Sequence, residues 1–390
     1  MAELPDRIRT LGIIAGAGEY PRLALEGARR AGVRVVVAGI KGSVEKGLAG
    51  LCDVYGSFRV GSLARIGDFL RENEVHHLMM AGQIRPSSIY TMWPDELARR
   101  LLAQLDRRNA HTIFGTICRE LNTRGISVLP ATTFMEDNMP GEGLIAGPAP
   151  TEAQLREADH GLELAREIAR LDIGQSLIVQ GERVMCVEAF KGTNECLQAG
   201  GHRREPVTLC KVTKPGHDLR FDVPCIGLST IRNCIDARVN HIVIEAGRTI
   251  IFQREAVLAL CEQHGITLHA RRVPTGGIRL SEPGHVRGDA EHARFIAEAI
   301  EKLGIGHSAV VCDGVVIAVE DPDGPAKCLE RAGAYMRRLR LARLLNWLGN
   351  LLLGRRCAPP APMILGGTAA LTITPTLRRL ARQGGIVLPE

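Results

Sequence analysis

The chain reads as an α/β protein: an N-terminal doubly wound, Rossmann-like domain of parallel strands, then a C-terminal α/β domain with an appended partial duplicate of itself. Three observations predict this. Short apolar strands alternate with amphipathic helices from residue 11 onward, the pattern of parallel strands joined by helical crossovers. The stretch LIAGPAPTE (144–152) has the glycine, prolines and small residues of a linker. A shift of 132 residues lays part of the C-terminal half on a later part, with 13 identities in the 33 positions from Ala165 to Leu197. The domains are therefore set at 1–147, 152–281 and 282–390.

In order, LGIIA (11–15) is a strand, RLALEGARRAG a helix and VRVVVAGI a second strand. A helix around LARIGDFLRENEV leads to the strand HLMMAG, and helices through DELARRLLAQL and IFGTICRELNTRG lead to ISVLPA. Beyond the linker come the helix AQLREADHGLELAREIARL, two strands about the turn Gly181-Glu182, and a further helix. RNCIDARVN is then a helix, HIVIEAG a strand and REAVLALCEQHG a final helix, with TLHARRV behind it. Ligands of such sheets sit at the carboxyl ends of strands.

With 45% apolar and 24% charged residues, the 390-residue chain has the composition of a soluble globular protein with room for two or three cores. Its formal charge of +6, read as distributed along the chain, suits anionic small molecules or an anionic membrane surface. Aromatics are only 4% and no stacking motif is present, so nucleic acid is set aside as a partner. Eleven cysteines form no C-x-x-C pair and no secretory leader is visible, so a reducing cytoplasm is expected. No apolar run reaches the ~20 residues of a membrane span.

The densest mixture of charges beside predicted core is LCKVTKPGHDLRFDVPCIGLSTI (209–231). Lys211, Lys214, His217, Asp218 and Asp222 fall within a dozen residues, and Val223 to Leu228 reads as a short buried strand with Pro224 near its start. Asp222 then sits at the lip of a strand, where a carboxylate can hold a hard cation such as Mg2+ while lysines face phosphate oxygens. The plainer alternative is a solvated turn whose ion pairs stabilise little. Near the N-terminus, Gly16 and Gly18 can bring backbone N–H groups and a helix N-terminus to a phosphate, or simply let helix and strand pack closely. As a dinucleotide fingerprint the loop falls short: Pro21 stands at the third glycine position, and the second strand ends without an acidic residue for a ribose.

The two superposed segments share Gly174, Ser176, Glu188, Gly192 and Cys196 with Gly306, Ser308, Glu320, Gly324 and Cys328. Residues 285–330 are predicted to repeat the helix and strand pair of 153–198. Val315, Ile317 and Val319 would line one strand face as Arg183, Met185 and Val187 do. No metal site is expected there, since nothing replaces Asp222 and Pro325 replaces Thr193. LTITPTLRRLARQGGIVLPE (371–390) faintly echoes LSTIRNCIDARVNHIVIE. MRRLRLARLLNWLGNLLLGRR (336–356), basic and leucine-rich, suits a helix in an anionic membrane interface or a core helix with basic ends.

Taken together, LGIIAGAGEYP, AGQIRPSS, the strand pair ending VEAFKGTN, KVTKPGHDLRFDVPCIGLSTI and VIEAGRTIIFQREAVL resemble the LpxI family, the UDP-2,3-diacylglucosamine pyrophosphatases of lipid A biosynthesis. The resemblance runs from about residue 9 to 277. It implies a Mg2+-dependent hydrolase that yields UMP and 2,3-diacylglucosamine 1-phosphate from a ligand held between two domains. It implies Asp222 as the essential aspartate, with Lys211, Lys214 and Asp218 in the catalytic group and Asp222 and Glu188 on the metal. The nucleotide is expected near Gly16, Gly18, Tyr20, Pro21, Gly82, Gln83 and Arg85, with Thr193 and Thr230 also on substrate. The lipid-linked UDP-sugar would be met at the cytoplasmic face of the inner membrane by a peripheral homodimer. Two departures stand out: Asn109-Ala110-His111 replaces a usual G-D-D, and Lys191-Gly192-Thr193-Asn194 a usual E-G-T-D. If those acids serve the metal, Glu188 or Asp172 must substitute, or the protein is a non-catalytic relative that binds the nucleotide-sugar lipid.

Overall fold

The computed structural model describes residues 8–84, 94–105, 110–201, 205–216, 218–220, 223–274, 280, 288–312, 314–334, 363–367, 375–384 and 386–388. Those up to Asn138, with 218–220 and Val223, form one compact unit; Met139 to Gly216 and Pro224 onward form a second.

In the first unit β1 (Thr10–Ala15), β2 (Arg34–Ile40), β3 (Val54–Phe58), β4 (His77–Ala81) and β5 (Ser127–Val128) make a parallel sheet in the order β3-β2-β1-β4-β5. Strands this apolar are buried on both faces, and Val35 to Ala38 are fully removed from solvent. The helix Tyr20–Arg30 turns Ala24, Leu25 and Ala28 inward and keeps Arg22, Arg29 and Arg30 outside. Because the chain steps outward from β1 to β3 and returns to β4 on the other side, the strand order reverses between β1 and β4, and their loops leave from neighbouring carboxyl ends. β3 was not expected from sequence. VYGSF is a half-exposed edge strand with a central glycine, and neither an apolar run nor clean alternation marks it.

The second unit carries β6 (Gly143–Ala146), β7 (Ser176–Gln180), β8 (Arg183–Val187), β9 (Val207–Lys211), β11 (Val239–Glu245) and β13 (Thr267–Arg271) in a six-stranded sheet, order β6-β13-β11-β9-β7-β8. β9, β11 and β13 are parallel, while β6 and β7 run against their neighbours. β6 lies partly within the stretch read as linker and pairs with β13 at the sheet edge. β10 (Cys225–Ile226) and β12 (Ile250–Ile251) form a separate two-residue ladder. The helix Glu152–Arg170 opens with a capping box, the Thr151 hydroxyl accepting from Gln154 N and the Gln154 side chain accepting from Thr151 N.

A later sheet holds β14 (Ser308–Cys312), β15 (Val315–Val319), β16 (Met363–Gly367) and β17 (Ile386–Val387) in the order β15-β14-β16-β17. It follows the helix Asp289–Lys302 as β7 and β8 follow Glu152–Arg170. Both strand pairs slip register at the same step, Ile178/Val179 and Val310/Val311. Glu188 N donates to Ser176 O and Glu320 N to Ser308 O, each at 2.8 Å. The likeness continues through the faint echo: Gly367 lies opposite Ser308 where Lys211 lies opposite Ser176, and β17 is parallel to β16 as β11 is to β9. Val184 and Val316 are buried along with their strand neighbours, so these strands are covered on both faces and not on one. One apolar cluster joins the halves, with Leu162, Ile168 and Val179 from the first and Ile296, Ile300 and Val311 from the second. The stretch 336–356 lies outside the described residues, and among those described no helix is long and apolar enough to cross a membrane.

The helix-to-strand contact is solved in opposite ways in the two halves. A Cβ on Gly161 would come within 2.4 Å of Cys210 Sγ on β9. At the matching positions the helix has Ala293 and the strand Gly366, whose Cβ would lie 2.2 Å from the Ala293 carbonyl carbon. Gly161→Ala should therefore cost about 1–3 kcal/mol in chemical unfolding, as overpacking does. Adding Cys210→Gly should recover part of the loss, giving a favourable coupling in the double-mutant cycle.

His241 on β11 and His269 on β13 stack with ring centroids 6.1 Å apart. His241 is fully buried and neither ring nitrogen has a hydrogen-bond partner. Burial, then the charges of His269 and Arg271, push its pKa down to about 4. The unfolded chain binds this proton near pH 6.5 and the folded chain does not, so stability should fall as pH drops from about 6.5 to about 4, by about 3 kcal/mol. His241→Leu should flatten that part of the urea-unfolding profile.

Candidate functional site

In the first unit the loops that follow β1 and β4 cross. Ala17 N donates to Gln83 O and Gln83 N to Ala17 O, both at 2.8 Å, while Gly16 N donates to Ala81 O. The crossing needs glycine on each side. A Cβ on Gly16 would lie 2.6 Å from Gln83 O, and one on Gly82, at φ +88°, would lie 2.7 Å from Ala17 O and 3.0 Å from Pro21 Cγ. Pro21 fills the first turn of the helix Tyr20–Arg30, where a missing N–H is harmless, and the Tyr20 hydroxyl donates to Ala131 O. Gly16, Gly18, Tyr20, Pro21, Gly82 and Gln83 are thus brought together at the point where the strand order reverses. Arg85 lies outside the described residues.

In the second unit Glu188 stands just beyond β8, Thr193 opens the helix Thr193–Gly200, Lys211 ends β9 and Ser176 begins β7. The pairing Ser176↔Lys211 places all four at one end of the sheet. Glu188 Oε2 accepts from the Ser176 hydroxyl and, at 3.0 Å, from Thr193 Oγ1. Lys211 Nζ donates to Thr193 Oγ1 at 2.9 Å and lies 3.9 Å from Glu188 Oε2. Ser176 is fully buried and Lys211 is 7% exposed, so the ammonium keeps a low-dielectric setting in which its charge acts strongly. Lys214 turns elsewhere, to Asp172 Oδ1 at 2.7 Å.

Asp218 belongs to the first unit and grips Arg220 through both oxygens, at 2.7 and 2.5 Å. Thr230 lies on the helix Leu228–Asp236, half-buried. Asn194 accepts from Asn233 Nδ2 at 2.8 Å, linking the first turn of one helix to the last turn of the other. His217, Asp222 and Asn109 lie outside the described residues. Ser176 was not singled out as a site residue, although its shared spacing with Glu188 and with Ser308/Glu320 was the available signal. Glu245, also missed, ends β11 and is held by Thr213 N at 2.8 Å, Arg248 at 3.4 Å and Arg166 at 3.5 Å. Its only mark in sequence is a carboxylate closing an apolar strand.

Mg2+ takes one or two carboxylates together with waters and phosphate oxygens. Among the described residues no three His, Cys, Asp or Glu side chains converge as a metal site. One oxygen of Glu188 is already bonded twice with an ammonium beside it, so these residues by themselves do not fit the ion.

Two units with glycine loops or polar side chains gathered at strand ends make this an α/β protein of the open-sheet type, a class whose ligands are met at the carboxyl ends of strands. The family model described as LpxI N-terminal domain matches residues 10–138, and the LpxI C-terminal domain matches 141–269 and 276–345. The chain belongs to the LpxI family. It is 28% identical over 273 residues to the UDP-2,3-diacylglucosamine pyrophosphatase LpxI of Caulobacter vibrioides, covering 66% of this chain and 96% of that one. Among solved structures, a biotin carboxylase domain of a thermophilic 2-oxoglutarate carboxylase aligns at 14% identity and TM-score 0.20, over 44% of this chain and 35% of that one. The biotin carboxylase subunit of a pyruvate carboxylase aligns at 13% and 0.20, over 53% and 38%. Scores so low carry no argument.

Thr193→Val removes the one hydroxyl shared by Glu188 and Lys211 while keeping the side chain's shape. It should lower unfolding free energy by about 1–3 kcal/mol through the unsatisfied buried groups it leaves. Most of that loss should vanish in a Glu188→Gln background; an additive double mutant would place the two side chains in separate networks.

Proposed function

We propose that the protein hydrolyses the pyrophosphate of UDP-2,3-diacylglucosamine to UMP and 2,3-diacylglucosamine 1-phosphate, in lipid A biosynthesis. The observation that carries the reading is the match of both LpxI domains in order along the chain, supported by the activity in the name of the Caulobacter relative. In this reaction water oxygen bonds to one phosphorus as the bond from that phosphorus to the bridging oxygen breaks. The bridging oxygen leaves with the other phosphate, and the proton of water is released.

Lys211, oriented by Thr193, is the cation we assign to the charge that gathers on phosphate oxygens. Glu188 fixes Thr193 and so holds the lysine in place. Lys214, set against Asp172, is assigned to a more distant phosphate oxygen, and Asp218 to orienting Arg220. The nucleotide is assigned to the crossed loops at Gly16, Gly18, Tyr20, Pro21, Gly82 and Gln83, in a Rossmann-like sheet, and Arg85, Thr193 and Thr230 are assigned to the substrate. Bound Mg2+ would neutralise pyrophosphate oxygens and acidify a water. Asp222 is the carboxylate assigned to it, while Glu188, held by Ser176 and Thr193 beside the Lys211 ammonium, is kept for orienting Thr193. The same reading takes 282–390 as a partial duplicate of the C-terminal domain, supported by the shared registers and the shared serine–glutamate bond.

Incubation with UDP-2,3-diacylglucosamine and Mg2+ should release UMP. Lys211→Met and Asp222→Ala should each lower kcat by on the order of a hundredfold or more. Substrate binding by the unaltered protein without release would favour the non-catalytic relative, for which the Asn109-Ala110-His111 and Asn194 departures speak.

A further inference from the structure

Counting by region corrects the reading of the charge as distributed. Residues 331–390 contain ten arginines, no lysine and a single acid, Glu390, a net +9 that leaves −3 for residues 1–330 of a chain whose total is +6. The basic excess is therefore a property of one end of the chain.

Part of it lies on the described helix Pro375–Gly384. Leu377 and Ala381 are buried in a cluster with Val310 and Leu365, and Leu380 packs against it. Arg378, Arg379 and Arg382 are exposed on the outer side and, with Gln383, line a shallow hollow of about 300 Å³. None of the three forms an ion pair among the described residues. Arg378 and Arg382 are four apart, where like charges destabilise a helix. The fold does not ask for this arrangement. The helix Leu228–Asp236, which joins β9 to β11 as Pro375–Gly384 joins β16 to β17, carries Arg232 and Asp236 and no net charge. Three exposed guanidinium groups in one and a half turns, without an ion pair among the described residues, are thus kept against a local electrostatic cost, and an external anion is a partner that would offset it.

We infer that the exposed arginine face of the helix Pro375–Gly384 docks the protein on an anionic lipid surface, its guanidinium groups meeting phosphate-bearing headgroups. A lipid surface fits better than nucleic acid because residues 331–390 hold thirteen leucines and only two aromatic residues. Leucine-rich basic sequence suits a bilayer interface, whereas single-stranded nucleic acid calls for stacking platforms. The inference rests on charge and composition outside the proposed reaction site, so it stands or falls independently of the reaction.

The test is co-sedimentation of the full chain with vesicles of phosphatidylcholine, alone or mixed with phosphatidylglycerol. Binding is expected only to the anionic vesicles and should weaken with salt. Each basic residue near such a surface contributes roughly a fivefold factor, so the triple variant Arg378→Gln, Arg379→Gln, Arg382→Gln should lose on the order of a hundredfold in partition. The matching triple lysine variant should keep it. Single Arg→Gln variants, each losing about fivefold, give the same answer should the triple fail to fold. Unchanged partition of the glutamine variants would overturn the proposal. So would displacement of the protein by inorganic phosphate at fixed ionic strength, which marks a small-anion site, or tight binding of a duplex DNA that the same substitutions abolish.

Discussion

The Ser176 hydroxyl meets the Glu188 carboxylate in a corner largely shielded from water, where β7 begins and β8 has just ended, and the second unit is arranged about that bond. A carboxylate with little access to solvent must find donors and a compensating charge. Glu188 finds its donors in Ser176 and Thr193 and its charge in Lys211, so the end of β8, the first turn of the next helix and the last residue of β9 have to converge. The later half keeps the first of these bonds, Ser308 to Glu320 at 2.7 Å, and settles the rest differently. His307 N supplies a second donor at 3.2 Å, while Gly367 and Pro325 stand where Lys211 and Thr193 would be. Its nearby charge is tied up one residue on, in the Asp321–Arg331 pair at 2.8 Å. The same strand scaffold thus presents an ammonium group in one half and none in the other.

In the first unit the governing constraint is steric. Parallel strands β1 and β4 are neighbours, and the loops leaving them meet through backbone hydrogen bonds with no room for a Cβ on either side. Gly16 and Gly82 are therefore one feature, although 66 residues separate them in the chain. Measured against a dinucleotide fingerprint, Pro21 looks like a defect. Within the crossed loops it is a packing partner of Gly82.

Much of this was legible in sequence because periodicity and self-similarity report backbone geometry directly. The long helices and the strands β1, β2, β4, β7, β8 and β11 stand out as apolar runs or amphipathic stretches, and the later helix and strand pair as a repeat at constant spacing. What escaped was set by tertiary pairing. β3, β6 and β12 are short or half-exposed and exist because a neighbouring strand supplies their hydrogen bonds. Of the expected site, Lys211, Thr193 and Glu188 do converge, but no spacing rule links a residue at the end of β9 to one beyond β8. The separation of Lys211 from Lys214 was equally invisible, since a local cluster of like charges says nothing about which carboxylate each will face.

The exchange of small and larger residues at the helix-to-sheet contact makes the two helices non-interchangeable. Move the helix Asp289–Lys302 onto the sheet that holds β9, and Ala293 would be driven into Cys210, while Gly161 over Gly366 would leave a void. Similar sequence therefore does not make the two segments spare parts for each other: each helix is keyed to its own sheet by a single pair of residues, and a graft of either would have to carry its strand residue along.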